Sequence, residues 1–192
     1  MPRANLSPDT VIHAARDLVD AGGADALSMS ALARRLGVRT ASLYGHVRDL
    51  GALRGAVQAL ILDELADAVD TAIDARTGPA ALEALADAQR EYAFARPARW
   101  SLIQQPVSPD ERTTAAASRM ASHLLDVVDA YGISAGQRVH AVRFVSGALA
   151  GSLALEAADA FAHRNESTDA SWRHTIAALD RALDTWPSEL PA

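Results

Sequence analysis

Residues 27–47, LSMSALARRLGVRTASLYGHV, leave this chain little choice of fold. Met29, Leu32, Ala33 and Leu36 recur at i, i+3, i+4 and i+7, the stripe of an amphipathic helix. Ser28 stands before it as an N-cap whose hydroxyl can accept from a first-turn amide. Gly37 follows where a helix C-terminus commonly needs a residue of positive φ. A second helical pattern, residues 40–47, offers only Leu43 and Val47 for burial and is too short to persist alone. It must be held by its neighbours, with Arg39, Thr40, Ser42, Tyr44, Gly45 and His46 on its open side. A short, braced helix that shows hydrogen-bonding groups outward is what a helix-turn-helix needs for recognition.

The charge pattern agrees. From Ser28 to Arg48 there are four arginines (Arg34, Arg35, Arg39, Arg48) and no acid, in a chain of formal charge −6. The first 55 residues hold seven Arg and five Asp, a surplus of +2, which leaves −8 on the other 137. A basic end on an acidic protein suits a phosphate backbone. The arginines alone would equally suit a solvated face of a helical bundle. The turn, with Tyr44 and His46 exposed beside it, favours DNA.

Residues 32–38 (LARRLGV), then 41–47 (ASLYGHV) and Leu53, resemble the DNA-binding domain of the TetR family of bacterial transcriptional regulators. The match runs over roughly residues 8–60 and is specific, because spacing and residue type agree across both helices and the turn. The resemblance implies that Thr40, Ala41, Ser42, Tyr44, Gly45 and His46 face DNA, with Ser30 at the start of the preceding helix. Residues opening the recognition helix would read base edges, and the tyrosine and histidine would contact phosphates or bases. Arg39 and Arg48 complete the expected interface. Family members often carry lysine at the position of Leu50, which cannot offer an amine. That contact falls to Arg48 or is absent.

At 192 residues the chain allows one large domain or two small ones. It has no cysteine, which excludes disulfides, thiolate metal sites and a cysteine nucleophile. All 18 basic residues are arginine. No apolar run approaches the ~20 residues of a membrane span, and no signal-peptide core follows Met1. The expectation is a soluble cytoplasmic protein with no membrane contact.

The remaining pattern is helical throughout. Ser7, Pro8 and Asp9 open a first helix that buries Val11, Ile12, Ala15, Leu18 and Val19 and stops at residues 21–23. From Asp49, helical spacing runs through Leu53, Val57, Leu60, Ile61, Leu65, Val69 and Ile73 until Gly78-Pro79. A helix of ~24 residues spans about 36 Å, so it can join a DNA-binding domain to whatever follows. The expected boundary lies inside it: residues 1–55 for DNA binding, 56–192 for ligand binding and dimerisation. A helix over residues 80–96 precedes a broken region, 97–108. Ser108-Pro109-Asp110-Glu111 then starts a helix ending near Tyr131-Gly132. A capping box at Ser134 and Gln137 opens a long helix to about His163, and a last helix covers about 169–185. The expected class is all-α.

Within residues 144–155, FVSGALAGSLAL, small residues share one face. Two helix-interior glycines four apart usually mark a close backbone approach, either inside one subunit or between two. Gly147, Ala148, Gly151 and Leu155, with Trp172, Ile176 and Leu179 of the last helix, are the expected homodimer contact, as corresponding helices are in the resembled family. Residues 153–157 with Ser171-Trp172 resemble, more weakly, one widespread type of its C-terminal domains.

Tyr92, Phe94, Trp100, Gln104, Met120, His123, Leu124, His140 and Phe144, with Phe161 near them, are the candidate lining of an effector pocket. Aromatic and Met residues at helical spacing are more often plain core, but several together would make an apolar site with a few polar groups. With no Arg cluster among them, the expected effector is apolar or aromatic and uncharged or weakly polar. His123 and Asp126 share a helix face but lack a third metal ligand, so no metal or cofactor is expected. There is no phosphate loop, zinc motif, nucleophile elbow or isolated carboxylate pair to suggest an enzyme, and no catalytic residue is assigned. A helical adaptor binding protein through Tyr44, or an activator without induction, are the alternatives. The reading preferred is a homodimeric repressor of a palindromic double-stranded operator, released by a small molecule.

Overall fold

The computed structural model describes residues 6–106, 110–163 and 165–187. Among them are nine α-helices and no strand. In chain order these are α1 (Pro8–Gly22), α2 (Met29–Leu36), α3 (Thr40–Leu43), α4 (Leu50–Ile73), α5 (Gly78–Ala95), α6 (Pro97–Ile103), α7 (Glu111–Asp129), α8 (Arg138–Ala157) and α9 (Thr168–Asp184), with a 3-10 turn at Ala24–Ala26. They form two compact units. One takes the described residues of Met1–Ala66 and Ala95–Arg119, the other those of Asp67–Phe94 and Met120–Ala192. No helix among the described residues is long and apolar enough to cross a membrane.

In the first unit, local chemistry places each helix end. The Ser7 hydroxyl accepts the Thr10 amide at 3.1 Å, and Pro8, which has no amide to leave unpaired, sits at the start of α1. Ser28 accepts the Ala31 amide at 3.2 Å to start α2. Asp49 Oδ1 accepts the Ala52 amide at 2.7 Å to start α4. Gly37 closes α2 in the left-handed region, φ 67° and ψ 30°. Val11, Ile12, Ala15 and Val19 of α1 are buried, as are Leu32, Leu43, Leu53, Val57 and Ile61. Each large apolar side chain so buried is worth about 1.5–3 kcal/mol.

The first unit also contains α6, in the region expected to be broken. Pro97 occupies its first turn and Leu102 is fully buried. Its C-terminal carbonyls are satisfied from α4: Gln58, 2% exposed, donates Nε2 to the Leu102 oxygen at 2.8 Å and the Gln105 oxygen at 3.1 Å. Arg54 Nη1 donates to Gln105 Oε1 at 2.7 Å. At the other end Arg99 reaches α1 and α4 through Asp20 and Glu64. These ties explain why the unit takes in α6 and why α4 stays in it up to Ala66, past the boundary expected near residue 55.

In the second unit α5 buries Leu82, Leu85, Ala86, Gln89, Tyr92 and Ala93 on the expected side. Ala141, Val145, Leu149 and Leu153 of α8 and Trp172, Ile176, Leu179 and Leu183 of α9 complete the core. Arg90 joins three helices. It donates to Glu156 through Nε (3.2 Å) and Nη2 (2.6 Å) and to Asp169 at 2.7 Å, and its guanidinium carbon lies 5.6 Å and 5.4 Å from the Phe94 and Trp172 ring centres. The Tyr131 hydroxyl donates to Asp180 at 2.8 Å. Burial and that carboxylate both push the Tyr131 phenol up, so it stays neutral.

Three helix limits differ from expectation. Ser108-Pro109 lies outside the described residues, and the cap of α7 is Asp110. Its Oδ1 accepts the Thr113 amide at 2.8 Å while its own amide donates to the Thr113 hydroxyl at 3.0 Å. The helix expected from Ser134 begins at Arg138, because the Ser134 carbonyl takes the Gln137 and Arg138 amides in a turn instead of a side-chain cap. It ends at Ala157, not His163; Asp159 then adopts φ 52° and turns the chain.

Candidate nucleic-acid interface and effector cavity

α2 packs on α1 and on α3. The second element is shorter as a helix than expected: α3 ends at Leu43, and the Leu43 carbonyl then accepts the amides of His46 (2.9 Å) and Val47 (3.0 Å), carrying a hydrogen-bonded turn to Val47. Four helical residues cannot stand alone. What holds them is Leu43, fully buried, and Val47, buried at the end of the turn.

The other side chains of the element open outward. Tyr44 is 55% exposed. Arg39, Ala41, Ser42, Gly45 and Arg48 are exposed, Thr40 and His46 are half-buried, and Ser30 is exposed at the start of α2. The expected interface residues are therefore all at or near solvent. The arginines divide. Arg35 is tied to Asp17 of α1 at 2.9 Å. Among the described residues Arg34 and Arg39 make no ion pair. Arg48 Nε meets Asp49 at 2.9 Å, but its side chain is 84% exposed and such a surface pair is weak, which leaves the guanidinium free to move to a phosphate. Leu50, where the resemblance expected an amine, is exposed.

The expected dimer residues separate into two groups. Gly147, Gly151 and Leu155 are exposed and Ala148 is half-buried on α8. A Cβ added to Gly147 or Gly151 would meet nothing within 4 Å, so neither glycine serves a close approach inside the protomer. Trp172, Ile176 and Leu179 are a correction. All three are buried in the protomer's own core, and Trp172 Nε1 donates to Asp87 at 2.7 Å. Packing against α9's own unit uses them up.

The nine expected pocket residues differ in exposure. Phe94, His140, Phe144 and Gln104 are exposed, as is Phe161, whereas Tyr92 and Leu124 are buried core. Phe144 lies against Trp186, ring centres 5.6 Å apart. Trp100 and Gln104 belong to the first unit, and Met120 is half-buried in the second. His123 alone of the nine lines the cavity of about 260 Å³ at the α4–α5 turn, opposite α7. That cavity also has Asp70, Asp74, Arg76 and Asp126 in its wall. Sequence spacing gave no sign of it, since Asp70 and His123 are 53 positions apart and meet only through the fold. No group of three or more metal-ligating side chains occurs among the described residues.

A braced helix-turn-helix with an outward polar face, on an all-helical chain, defines a helix-turn-helix regulator. The chain belongs to the TetR family of bacterial regulatory proteins, whose model matches residues 11–49, while a tetracyclin repressor-like C-terminal domain matches residues 82–179. It is 32% identical over 155 residues to the HTH-type transcriptional regulator Rv0681 of Mycobacterium tuberculosis, covering 80% of this chain and 71% of that protein. It is 30% identical over 186 residues to the HTH-type transcriptional repressor DrrR1 of Streptomyces coeruleorubidus, covering 95% of this chain and 66% of that one. A crystal structure of a TetR from Acinetobacter baumannii AYE in complex with minocycline has the same fold, with TM-score 0.71 and 22% identity over 96% of this chain and 100% of that one. The protein is a DNA-binding transcriptional regulator.

Proposed function

We propose that this regulator is a cytoplasmic repressor that binds a palindromic operator as a homodimer and leaves it when a small molecule binds. The observation that carries the reading is the division of residues 39–48. Leu43 and Val47 are spent on the core, and Arg39, Thr40, Ser42, Tyr44, His46 and Arg48 remain for DNA. Bidentate and charge-assisted contacts from such groups supply both phosphate affinity and base discrimination. Ser30, Ala41 and Gly45 let the backbone come close.

The dimer reading rests on α8. His140, Phe144, Gly147, Gly151 and Leu155 recur every three or four residues along its exposed side, with Phe144 43% and Leu155 49% exposed. A helix stripe of that kind is the sort of surface a second copy covers. Two copies would present two recognition elements and so require two half-sites. Repression is favoured by the relative named as a repressor, and effector binding by the fold shared with a minocycline complex. The division of labour is DNA binding by residues 1–55 and sensing and pairing by 56–192. Release would run along α4, which has no Gly or Pro between Ala56 and Ile73 and so cannot bend freely. An effector that favours one position of its C-terminal end biases the DNA-binding end in proportion to that preference.

Selection of bound sequences from a random DNA library by the purified protein tests this. An enriched inverted repeat, with affinity falling steeply as salt rises, is the expected result. Enrichment of a single half-site, or of nothing, overturns it.

A further inference from the structure

We infer, resting on the operator reading above, that Arg39 is the base-reading residue of this regulator and that the base it reads is guanine, through a bidentate contact to O6 and N7 in the major groove. What the recognition element lacks points there first. Residues 28–48 contain no Asn or Gln, the side chains that take adenine through N6 and N7, and no Asp or Glu to accept from the cytosine amine. Ala41 and Gly45 carry no side-chain hydrogen-bonding group. The single hydroxyls of Thr40, Ser42 and Tyr44 can each donate or accept, so they separate the bases weakly. His46 is half-buried, and one ring nitrogen meets one edge atom at a time. A planar fork of donors matches the paired acceptors on the guanine edge. Only arginine supplies it.

The four arginines of this stretch stand in different places. Arg35 is held by Asp17 of α1 at 2.9 Å. Arg34 belongs to α2, the first helix of the motif, and that helix crosses the sugar-phosphate backbone instead of entering the groove. Arg48 lies beyond Val47, where the braced turn ends, beside Asp49 and 84% exposed. Arg39 alone opens the recognition element, whose first residues meet base edges. Its backbone is fixed: φ −77° and ψ 144° are extended, and its carbonyl accepts the Ser42 amide at 2.9 Å. Its side chain is exposed and makes no ion pair among the described residues. The guanidinium therefore breaks no such pair on its way to a base. In a homodimer the two-fold axis repeats the contact, so a guanine recurs at equal distances from the operator centre, once on each strand.

The test compares the motif that the full-length protein enriches from a random DNA library with the motifs enriched by Arg39→Ala and Arg39→Gln. In both variants one guanine of each half-site should lose its preference while the other positions keep theirs. With the parent protein, exchanging that G·C pair for A·T should weaken binding by about five- to 150-fold. Replacing the guanine by 7-deazaguanine removes the N7 acceptor and leaves base pairing intact. It should cost the parent about tenfold or more, as a lost charge-assisted bond does, and cost the two variants nothing. Arg48→Ala should weaken all sequences alike and keep the guanine. A parent motif without guanine, a parent indifferent to 7-deazaguanine at every position, or variants that keep the whole motif and lose only salt dependence overturns base reading by Arg39. The last of these would make Arg39 a phosphate contact, and all three leave the operator reading standing. Enrichment of no sequence by the parent overturns the operator reading and the guanine contact together.

Discussion

Arg99 and Arg16 share one carboxylate: Glu64 Oε2 lies 2.6 Å from Arg99 Nη1, and Oε1 of the same side chain lies 2.8 Å from Arg16 Nη1. Arg99 also holds Asp20 through two bonds, 2.7 and 2.6 Å. The carboxylate thus separates two cations on α1 and α6 that would otherwise face each other with only 21% and 13% of their side chains exposed. Glu64→Gln keeps the shape and removes the charge. With Glu64 about a quarter exposed and solvent screening the rest, the expected loss is about 1–2 kcal/mol, below that of a fully buried pair. Urea unfolding monitored by circular dichroism checks it; an unchanged midpoint would show that the bridge adds nothing.

Gly37 ends α2 with φ 67°, and a Cβ there would meet nothing within 4 Å. Substitution is therefore a pure test of backbone strain. Gly37→Ala should cost about 1–2 kcal/mol, and Gly37→Asn less, because asparagine visits this region more readily. The ordering Gly above Asn above Ala in melting temperature is the expected result, and equal values for all three would refute the argument.

At the DNA face, neighbours should behave oppositely. Tyr44→Phe and His46→Ala should leave the melting temperature in place and weaken operator binding by about 1–3 kcal/mol each. Leu43→Ala, at a fully buried site, should cost about 2–5 kcal/mol of stability. Arg48→Ala should lower the slope of log affinity against log salt by about one, the signature of a phosphate contact. Anisotropy titrations at several salt concentrations separate these outcomes, and a Tyr44→Phe protein that unfolds while the folded remainder still binds DNA would place Tyr44 in the core.

What could be read from the sequence depended on the range of the interaction. Ser7, Ser28 and Gly37 act on backbone groups within three or four positions, so their caps were legible, as were the inward Leu43 and outward Tyr44. α6 was not legible, because its C-terminus is satisfied by Gln58, 44 positions from Leu102, and its other end by Glu64 and Asp20. Trp172 looked like an interface aromatic because nothing local shows that Asp87, 85 positions away, receives its N–H. The cavity with His123 was hidden for the same reason. Aromatic content suggested a pocket among Phe94 and Phe144, and both side chains are exposed in the protomer.

Gly151 offers a clean probe of assembly. Nothing in the protomer lies within 4 Å of a Cβ there, and leucine is a far better helix former than glycine. Gly151→Leu should therefore leave the protomer folded, or slightly more stable, yet drive a covered α8 face apart. Sedimentation should show a shift from dimer to monomer, accompanied by loss of operator affinity. A Gly151→Leu protein that remains a dimer would move the interface away from this stripe.

Acid stability provides the last prediction. Asp17 is partly buried, which works against its charge, but the guanidiniums of Arg16 at 3.0 Å and Arg35 at 2.9 Å win and hold the carboxyl below its ordinary 3.8. Asp110 is lowered too, first by the Thr113 amide and then by the Thr113 hydroxyl. A carboxyl with a depressed folded pKa stabilises the protein fully above its unfolded value and loses that contribution as pH falls through the folded one. The loss should therefore begin only below about pH 4 and deepen with further acid. Melting temperatures from pH 6 downward should show Asp17→Asn less stable than the parent at pH 6, with the two curves converging as Asp17 of the parent takes up its proton. Curves that stay parallel through the acid range would mean that Asp17 titrates alike in the folded and unfolded chain, and that the ion pairs of Arg16 and Arg35 with Asp17 carry no net stability.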